Sequence, residues 1–202
     1  MEYRETVERR RAINFFDPQA RITAGDLREI VERGVLAPSS FNLQPWKVVA
    51  AVSPEVKEAL CRAAFDQPKV REASAVLVLL GNLEAVDESD DVFAAAVEQG
   101  YLAPDQAHGK REQARALYAG REKEFVSRNV ALLGMNLMLA ATDLGWSTHP
   151  MDGFDAAAVA EALALEEKYL PVMLVAVGRP SPRLRLLPRP TRRGFDRVCE
   201  VR

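Results

Sequence analysis

The chain has 202 residues, of which 48% are hydrophobic and 28% are charged, and its formal net charge is -2 at pH 7. These values predict a single globular domain over residues 1–202 with a substantial core. The near-neutral charge gives no electrostatic basis for a nucleic-acid partner or an anionic membrane. The start of the chain is too charged for a signal peptide, and no apolar run reaches the ~18 residues of a membrane helix. We therefore expect a cytoplasmic protein with no membrane partner.

Hydrophobic periodicity predicts an alternation of helices and strands along the chain. Helices are predicted over residues 2–12, 23–36, 54–64, 91–98, 110–119, 125–144 and 155–164, and strands over 46–52, 75–80 and 169–177. Thr23, Ser53 and Asp155 are the predicted N-caps, because each places a side-chain oxygen just ahead of a helix. The order of elements predicts an α/β or α+β fold in which helices cover a sheet.

The helix predicted over 125–144 is apolar on nearly all sides. That pattern is typical of a helix buried in a core or at a subunit interface.

Basic residues are concentrated at the two ends of the chain. The first group is Arg9, Arg10 and Arg11, and the second is Arg183, Arg185, Arg189, Arg192 and Arg193. In a protein of near-neutral net charge, two such groups favour an arrangement in which they meet around one small anion.

The segment from Ala37 to Trp46, with the sequence APSSFNLQPW, connects the second predicted helix to the first predicted strand. Its two prolines fix part of the backbone, and its hydroxyl and amide groups supply hydrogen-bond donors and acceptors. The residue types alone fit either an ordinary polar connection or a binding loop for a flat ligand with polar edges.

The order of residues in this segment resembles the P-S-S-x-N-x-Q-P-W signature of the nitroreductase family of FMN enzymes. Three further stretches resemble family segments in the same order: RRAIN at 10–14, LGWSTHPMDGFD at 144–155 and TRRGFD at 191–196. The resemblance implies a nitroreductase-like fold, with a central, mainly antiparallel sheet covered by helices, and an intertwined homodimer. In that dimer the helix over 125–144 would lie at the centre of the interface, so we interpret Met135 and Met138 as interface packing. It also implies a variable helical region over 84–124 that covers the substrate, and a C-terminal arm over 182–202 exchanged with the partner subunit.

The resemblance also implies an FMN site. Arg10 and one or both of Arg192 and Arg193 are expected to bind the phosphate, since guanidinium stays charged and binds phosphate bidentately. The cofactor-binding residues implied by the family are Arg10, Arg11, Ala12, Asn14, Pro38, Ser39, Ser40, Asn42, Gln67, Lys69, Pro150, Met151, Asp152, Gly153, Arg192 and Arg193. The candidate substrate contacts are Phe41, in the signature stretch, and Tyr118, in the variable region, although ordinary packing is the commoner role for a residue such as Tyr118. No metal site is expected.

The chain departs from the family pattern at some positions. Ala12 and Asn14 replace a serine and a basic residue, so their contacts are expected to be weaker or supplied elsewhere. Asp66 stands where some relatives have asparagine, and its charge disfavours the same contact. Gly194 and Phe195 replace a Pro-Leu pair, and residues 195–201 resemble a closing strand that pairs with the partner's sheet.

The activity implied by the resemblance is an NAD(P)H-dependent FMN oxidoreductase. A hydride from NADH or NADPH would pass through FMN to a nitroaromatic, quinone or similar acceptor by ping-pong, with no side chain acting as an indispensable acid or base. His149 is the one plausible general acid, although a lone histidine is more often structural. Two alternatives stay open: another flavin reaction on the same fold, such as reductive dehalogenation or flavin breakdown, and a flavin-binding protein without turnover.

Overall fold

The computed structural model describes residues 2–202, in which one antiparallel sheet lies between two layers of helices. The strands are β1 (Trp46–Ala51), β2 (Ala75–Asn82), β3 (Ser147–Met151) and β4 (Tyr169–Gly178), in the order β1-β2-β4-β3. Every neighbouring pair is antiparallel, with Val48 opposite Leu79, Leu79 opposite Met173 and Pro150 opposite Val175. The predicted fold is confirmed. β3 was not predicted as a strand, because it is a short edge strand with polar residues and a proline.

The helices are α1 (Tyr3–Arg9), α2 (Ala24–Gly34), α3 (Pro54–Ala63), α4 (Pro68–Glu72), α5 (Asp90–Glu98), α6 (Gln106–Tyr118), α7 (Glu122–Asp143), α8 (Ala156–Ala162) and α9 (Phe195–Val198). The three predicted N-caps are confirmed: Thr23 forms a capping box with Asp26, while Ser53 and Asp155 accept backbone N–H groups of α3 and α8. α6 begins earlier than predicted and so contains Gly109. α9 is a short helix, whereas the resemblance implied part of a strand over 195–201. That strand would pair with the sheet of a partner subunit, and a single chain offers no such neighbour.

Alternate residues of β2 face two different cores, as the period of two in a strand requires. Leu77 and Leu79 pack with α2 and α7 on one face of the sheet. Val76, Val78 and Leu80 pack with α3, α4 and α8 on the other face. Because helices cover both faces, β2 is an almost uninterrupted apolar run rather than an alternating one.

α7 is the longest helix in the described part of the chain, and its residues contribute to the core on the α2 side. Its length and hydropathy would suffice to cross a membrane, but 61% of its most apolar window is buried inside the protein, as in a core helix.

The two methionines of α7 for which interface packing was predicted differ in environment. Met135 is 40% exposed, whereas Met138 is 7% exposed and lies in the core, so the interpretation of Met138 as interface packing was wrong.

Candidate functional site

The segment from Pro38 to Pro45, called here the signature loop, has an unusual backbone. Phe41, Asn42 and Gln44 have φ values of 55°, 54° and 44°, in the left-handed region that residues with a Cβ seldom adopt. The N–H of Gln44 donates to Ser39 Oγ at 2.9 Å, which closes the loop. Such a backbone persists only where surrounding contacts determine it, and these conformations concentrate at functional sites.

The N-terminal segment over 10–14 lies beside β3 at the far edge of the sheet. Ala12 forms a parallel bridge to Thr148, and the Ile13 N–H donates to the Thr148 carbonyl at 3.2 Å. The Nδ1 atom of His149 lies 2.8 Å from the Ile13 carbonyl oxygen. A carbonyl oxygen only accepts, so Nδ1 carries the proton and His149 fastens this segment to β3.

The connection between α3 and α4, together with the first turn of α4, contacts two segments of the chain, at Asn14 and at Gly153. The side chain of Gln67 donates to the Gly153 carbonyl at 2.9 Å, and Lys69 Nζ donates to Asn14 Oδ1 at 3.3 Å. Burial lowers the pKa of Lys69. Burial and then the nearby charge of Lys69 lower the pKa of His149, which favours the neutral imidazole. Gln67 therefore lies beside the Gly153 backbone, whereas Lys69 lies beside Asn14 and close to His149.

Arginines from the two ends of the chain meet next to this segment. Arg189 Nη2 donates to the Arg10 carbonyl at 3.0 Å, and Arg11 Nη2 donates to the Leu187 carbonyl at 3.0 Å. The pKa of Arg10 is lowered by burial and then by the positive charges of Arg189, Arg192 and Arg11. Within residues 2–202 no carboxylate forms an ion pair with Arg10. Like charges that approach without a balancing carboxylate favour an anionic ligand.

The sequence did not single out Arg189 as a site residue. It was recognised only as a member of the C-terminal basic group, since no motif distinguishes it from its neighbours. Arg192 lies close enough to Arg10 to lower its pKa, as the phosphate assignment requires. Arg193 is exposed on the same arm.

The other residues considered for the FMN site differ in how accessible they are to a ligand. Met151 is 5% exposed, its side chain lies in the core and it pairs with Leu174 of β4, so little of this residue is accessible to a ligand. The carboxylate of Asp66 forms an ion pair with Arg71 at 3.0 Å, so this carboxylate already has a cationic partner on α4. Asn42, Asp152 and Gly153 are exposed.

A cavity of about 770 Å³ lies between the signature loop and helices α5 and α6. Phe41, one of the two predicted substrate contacts, lines it together with Asn42, Val92, Phe93, Tyr101 and Lys110. Tyr118, the other, stacks on Phe125 with ring centroids 3.9 Å apart and makes an edge contact with Phe41. Tyr118 therefore packs between Phe41 and Phe125. This is the packing alternative to substrate contact that the sequence left open for Tyr118.

The site residues form two groups. The signature loop contacts α7 and the cavity, whereas the arginines, Lys69, His149 and Gly153 gather around β3, α4 and the C-terminal arm. Among the described residues, no hydrogen bond or ion pair joins the two groups. No set of three or more histidine, cysteine, aspartate or glutamate residues in this part of the chain is placed to hold a metal ion.

Comparison with known proteins relates this geometry to one family. The family model described as "Nitroreductase family" matches residues 7–179. YdgI of Bacillus subtilis strain 168, provisionally named as an NAD(P)H nitroreductase, is 36% identical over 187 residues, which cover 88% of each chain.

Two solved structures are similar over nearly their whole length. YdfN of Bacillus subtilis, provisionally described as a nitroreductase, has a TM-score of 0.91 and 33% identity, covering 99% of this chain and 98% of its own. A provisionally assigned nitroreductase of Exiguobacterium sibiricum 255-15, solved in complex with FMN, has a TM-score of 0.88 and 29% identity, covering 100% and 98%. On the family match and on these likenesses in sequence and fold, the chain belongs to the nitroreductase family.

Proposed function

We propose that this protein binds FMN and acts as a cytoplasmic, NAD(P)H-dependent oxidoreductase. The observation that carries the proposal is the contact between the two ends of the chain, where Arg189 donates to the Arg10 carbonyl and Arg11 donates to the Leu187 carbonyl. Arg192 is also near Arg10, and no described carboxylate forms an ion pair with Arg10. A phosphate monoester, with its two negative charges, fits such a cluster. The solved relative in complex with FMN supports this choice of phosphate ligand.

The ring end of the cofactor fits the polar groups near β3. Gly153 is exposed and lacks a side chain, so its backbone permits close approach of a flat ligand. Gln67 fixes the Gly153 carbonyl, and Lys69, two residues further along, supplies a cation beside Asn14 of the N-terminal segment. A cation placed there would stabilise negative charge that develops on the ring system during reduction.

We propose that the complete site needs two copies of the chain. The signature loop and the arginine group share no described contact within one chain, although the family signature assigns both to FMN. Leu132 and Met135 lie on one face of α7 and are 48% and 40% exposed, and Leu36, just before the signature loop, is 78% exposed. Burying this face against a second copy would remove the apolar surface from water and place one copy's loop against the other's arginines. The arm contacts its own chain through Leu187 and Arg189, so the part that follows Arg193 is the part proposed to exchange. That exchange would cover the exposed Phe195, Val198 and Val201.

Bound FMN would supply the redox centre that takes a hydride from NADH or NADPH and passes it to an acceptor such as a nitroaromatic or quinone. The chain's own residues bind and orient the cofactor, and the cavity beside Phe41 gives the acceptor space. The Nδ1 atom of His149 is hydrogen-bonded to the Ile13 carbonyl. This bond gives His149 a structural role, in which it holds the segment over 10–14 against β3. If both substrates use the same ring face in turn, the kinetics are ping-pong.

Two measurements test this function. The absorbance spectrum of the purified protein should show flavin bands, released on denaturation as FMN. Initial rates of NADH or NADPH oxidation with a quinone or nitroaromatic should give parallel double-reciprocal lines. Protein without flavin and without affinity for added FMN would refute the proposal, and intersecting lines would refute the ping-pong order. Bound FMN without turnover would favour the non-catalytic alternative or another flavin reaction.

A further inference from the structure

We propose that Asn129 of α7 is a positioning residue that holds the signature loop in its FMN-binding shape, an inference that rests on the proposed function. Neither the signature nor any other motif in the sequence includes this residue. Asn129 is 4% exposed, which is unusual for an asparagine and requires partners for both ends of its amide.

Both ends of the Asn129 amide are satisfied. Its Oδ1 accepts the Ser40 N–H of the signature loop at 2.9 Å, and its Nδ2 donates to the Phe125 carbonyl, one turn earlier on α7, at 2.8 Å. One partner is a donor and the other an acceptor, so the orientation of the amide is determined by the network. The bond to Phe125 fixes the side chain, and the bond to Ser40 fixes the loop.

The bond to Ser40 comes directly before the strained part of the loop. Phe41, Asn42 and Gln44 have left-handed backbones without being glycine, so the loop is unfavourable unless its surroundings hold it. A second contact with the same helix is aromatic, through Phe41, Tyr118 and Phe125. The polar contact fixes the backbone of Ser40, and the aromatic contact fixes the side chain that follows.

The proposed consequence concerns cofactor affinity. Ser39, Ser40 and Asn42 can meet FMN without a cost in ordering free energy only if the loop is already ordered before binding. Without the Asn129 contact the loop would populate other conformations, and binding would include the cost of ordering it. Asn129 would therefore act on FMN through Ser40, without touching the cofactor itself.

Two substitutions separate this role from a general effect on stability. Asn129→Asp keeps an oxygen that accepts from Ser40. Its second oxygen faces the Phe125 carbonyl and can donate to it only when the carboxyl is protonated, which burial of the group favours. Asn129→Leu has similar size and no charge, but it cannot accept from Ser40. The matched control is Thr142→Val, because Thr142 is also buried on α7 and donates to the Met138 carbonyl at 2.8 Å, with no described contact to the loop.

The experiment measures FMN affinity by titration of protein without cofactor, thermal stability of the same samples, and hydrogen exchange at the Ser40 amide before FMN is added. We expect Asn129→Leu to weaken FMN binding by about tenfold or more and to accelerate Ser40 exchange. Asn129→Asp should stay within about threefold of the wild type in affinity, even where it is the less stable variant. Thr142→Val should leave FMN affinity and Ser40 exchange unchanged, whatever its effect on thermal stability.

Several results would overturn the inference. One is an order of affinities that follows the order of stabilities, with the Asp variant binding FMN more weakly than the Leu variant. Another is a Ser40 amide in the folded wild type that exchanges as fast as an exposed amide, a measurement that requires no variant to fold. A wild type that does not bind FMN refutes the proposed function as well, whereas normal binding by the Leu variant refutes only the role of Asn129.

Discussion

The guanidinium of Arg189 donates a hydrogen bond of 3.0 Å to the main-chain carbonyl of Arg10, across a separation of 179 residues in sequence. This bond joins the C-terminal arm to the segment over 10–14, which lies beside β3. It brings two positive charges together although each repels the other, and burial of Arg10 adds to the cost. A ligand anion would relieve that repulsion, so FMN binding and the docking of the arm should stabilise each other.

Replacing Arg10 with alanine should weaken FMN binding by about ten- to a hundredfold, because a charge-assisted contact to phosphate contributes roughly 1.5–3 kcal/mol. Arg189→Ala should weaken it in the same direction, since this arginine both adds charge and holds the arm. Arg28→Ala is the control, because Arg28 is exposed on α2 and pairs only with Glu32 among the described carboxylates. Equilibrium titration followed by flavin fluorescence measures all three, and unchanged affinity in Arg10→Ala would exclude Arg10 from the phosphate site.

Replacing Met135 with glutamate should convert a dimer into monomers and reduce FMN binding with it. The substitution places a charge in the centre of the exposed apolar face of α7, where a second copy is proposed to pack. Val52→Glu is the control, because Val52 is 50% exposed outside that face. Analytical ultracentrifugation at micromolar concentration measures the oligomeric state. A wild-type protein that is a stable, folded monomer under these conditions would contradict the proposal.

Replacing Gly34 with alanine should destabilise the packing of α2 on α7. A Cβ at residue 34 would lie 2.3 Å from Leu137 Cδ2 and 2.7 Å from its Cγ, and Leu137 is 1% exposed, so it has little room to move. Overpacking of this kind costs about 1–3 kcal/mol. Gly109→Ala on α6 meets nothing within 4 Å and should stabilise its helix by roughly 0.5–1 kcal/mol. Chemical denaturation measures the free energy of unfolding of both variants. Equal effects of the two substitutions would show that the contact with Leu137 does not destabilise Gly34→Ala.

The stability of the protein should fall as the pH is lowered, in part because of His149. Its pKa in the folded protein is lowered, first by burial and then by Lys69, so the unfolded chain, with an ordinary pKa of about 6.5, binds the proton more readily. The contribution is present above about pH 6.5 and is lost as the pH falls from there toward the lower pKa of the folded state.

The variant His149→Asn isolates this contribution. Asparagine keeps an N–H donor for the Ile13 carbonyl and does not titrate, so its free energy of unfolding should change less between about pH 7.5 and pH 5 than that of the wild type. Carboxylates that titrate over the same range are common to both proteins and cancel in the comparison. Identical pH profiles would show that the His149 proton is not linked to folding.

Much of the local structure follows from the sequence alone. The capping box of Thr23 and Asp26 spans four residues, and its chemistry is complete within them. The apolar run of β2 predicted a buried strand, because a strand covered on both faces has no polar side. The signature loop also carried its own signal, in residue types whose spacing matched the family pattern. Each of these features depends on neighbours in sequence, so a sequence pattern is sufficient to predict it.

Other features depend on which distant groups the fold brings together. Met135 and Met138 are three residues apart on one helix, yet only packing against the sheet decided which one is buried. In the sequence, Arg189 is one of several arginines in the tail, and only the fold brings it to the Arg10 carbonyl. The role proposed for Asn129 likewise depends on the position of α7 next to Ser40. Hydrogen bonds and charge interactions act over a few ångströms in space and are independent of separation along the chain. The sequence therefore determined the elements and the family, while the tertiary structure decided which side chains meet in the site.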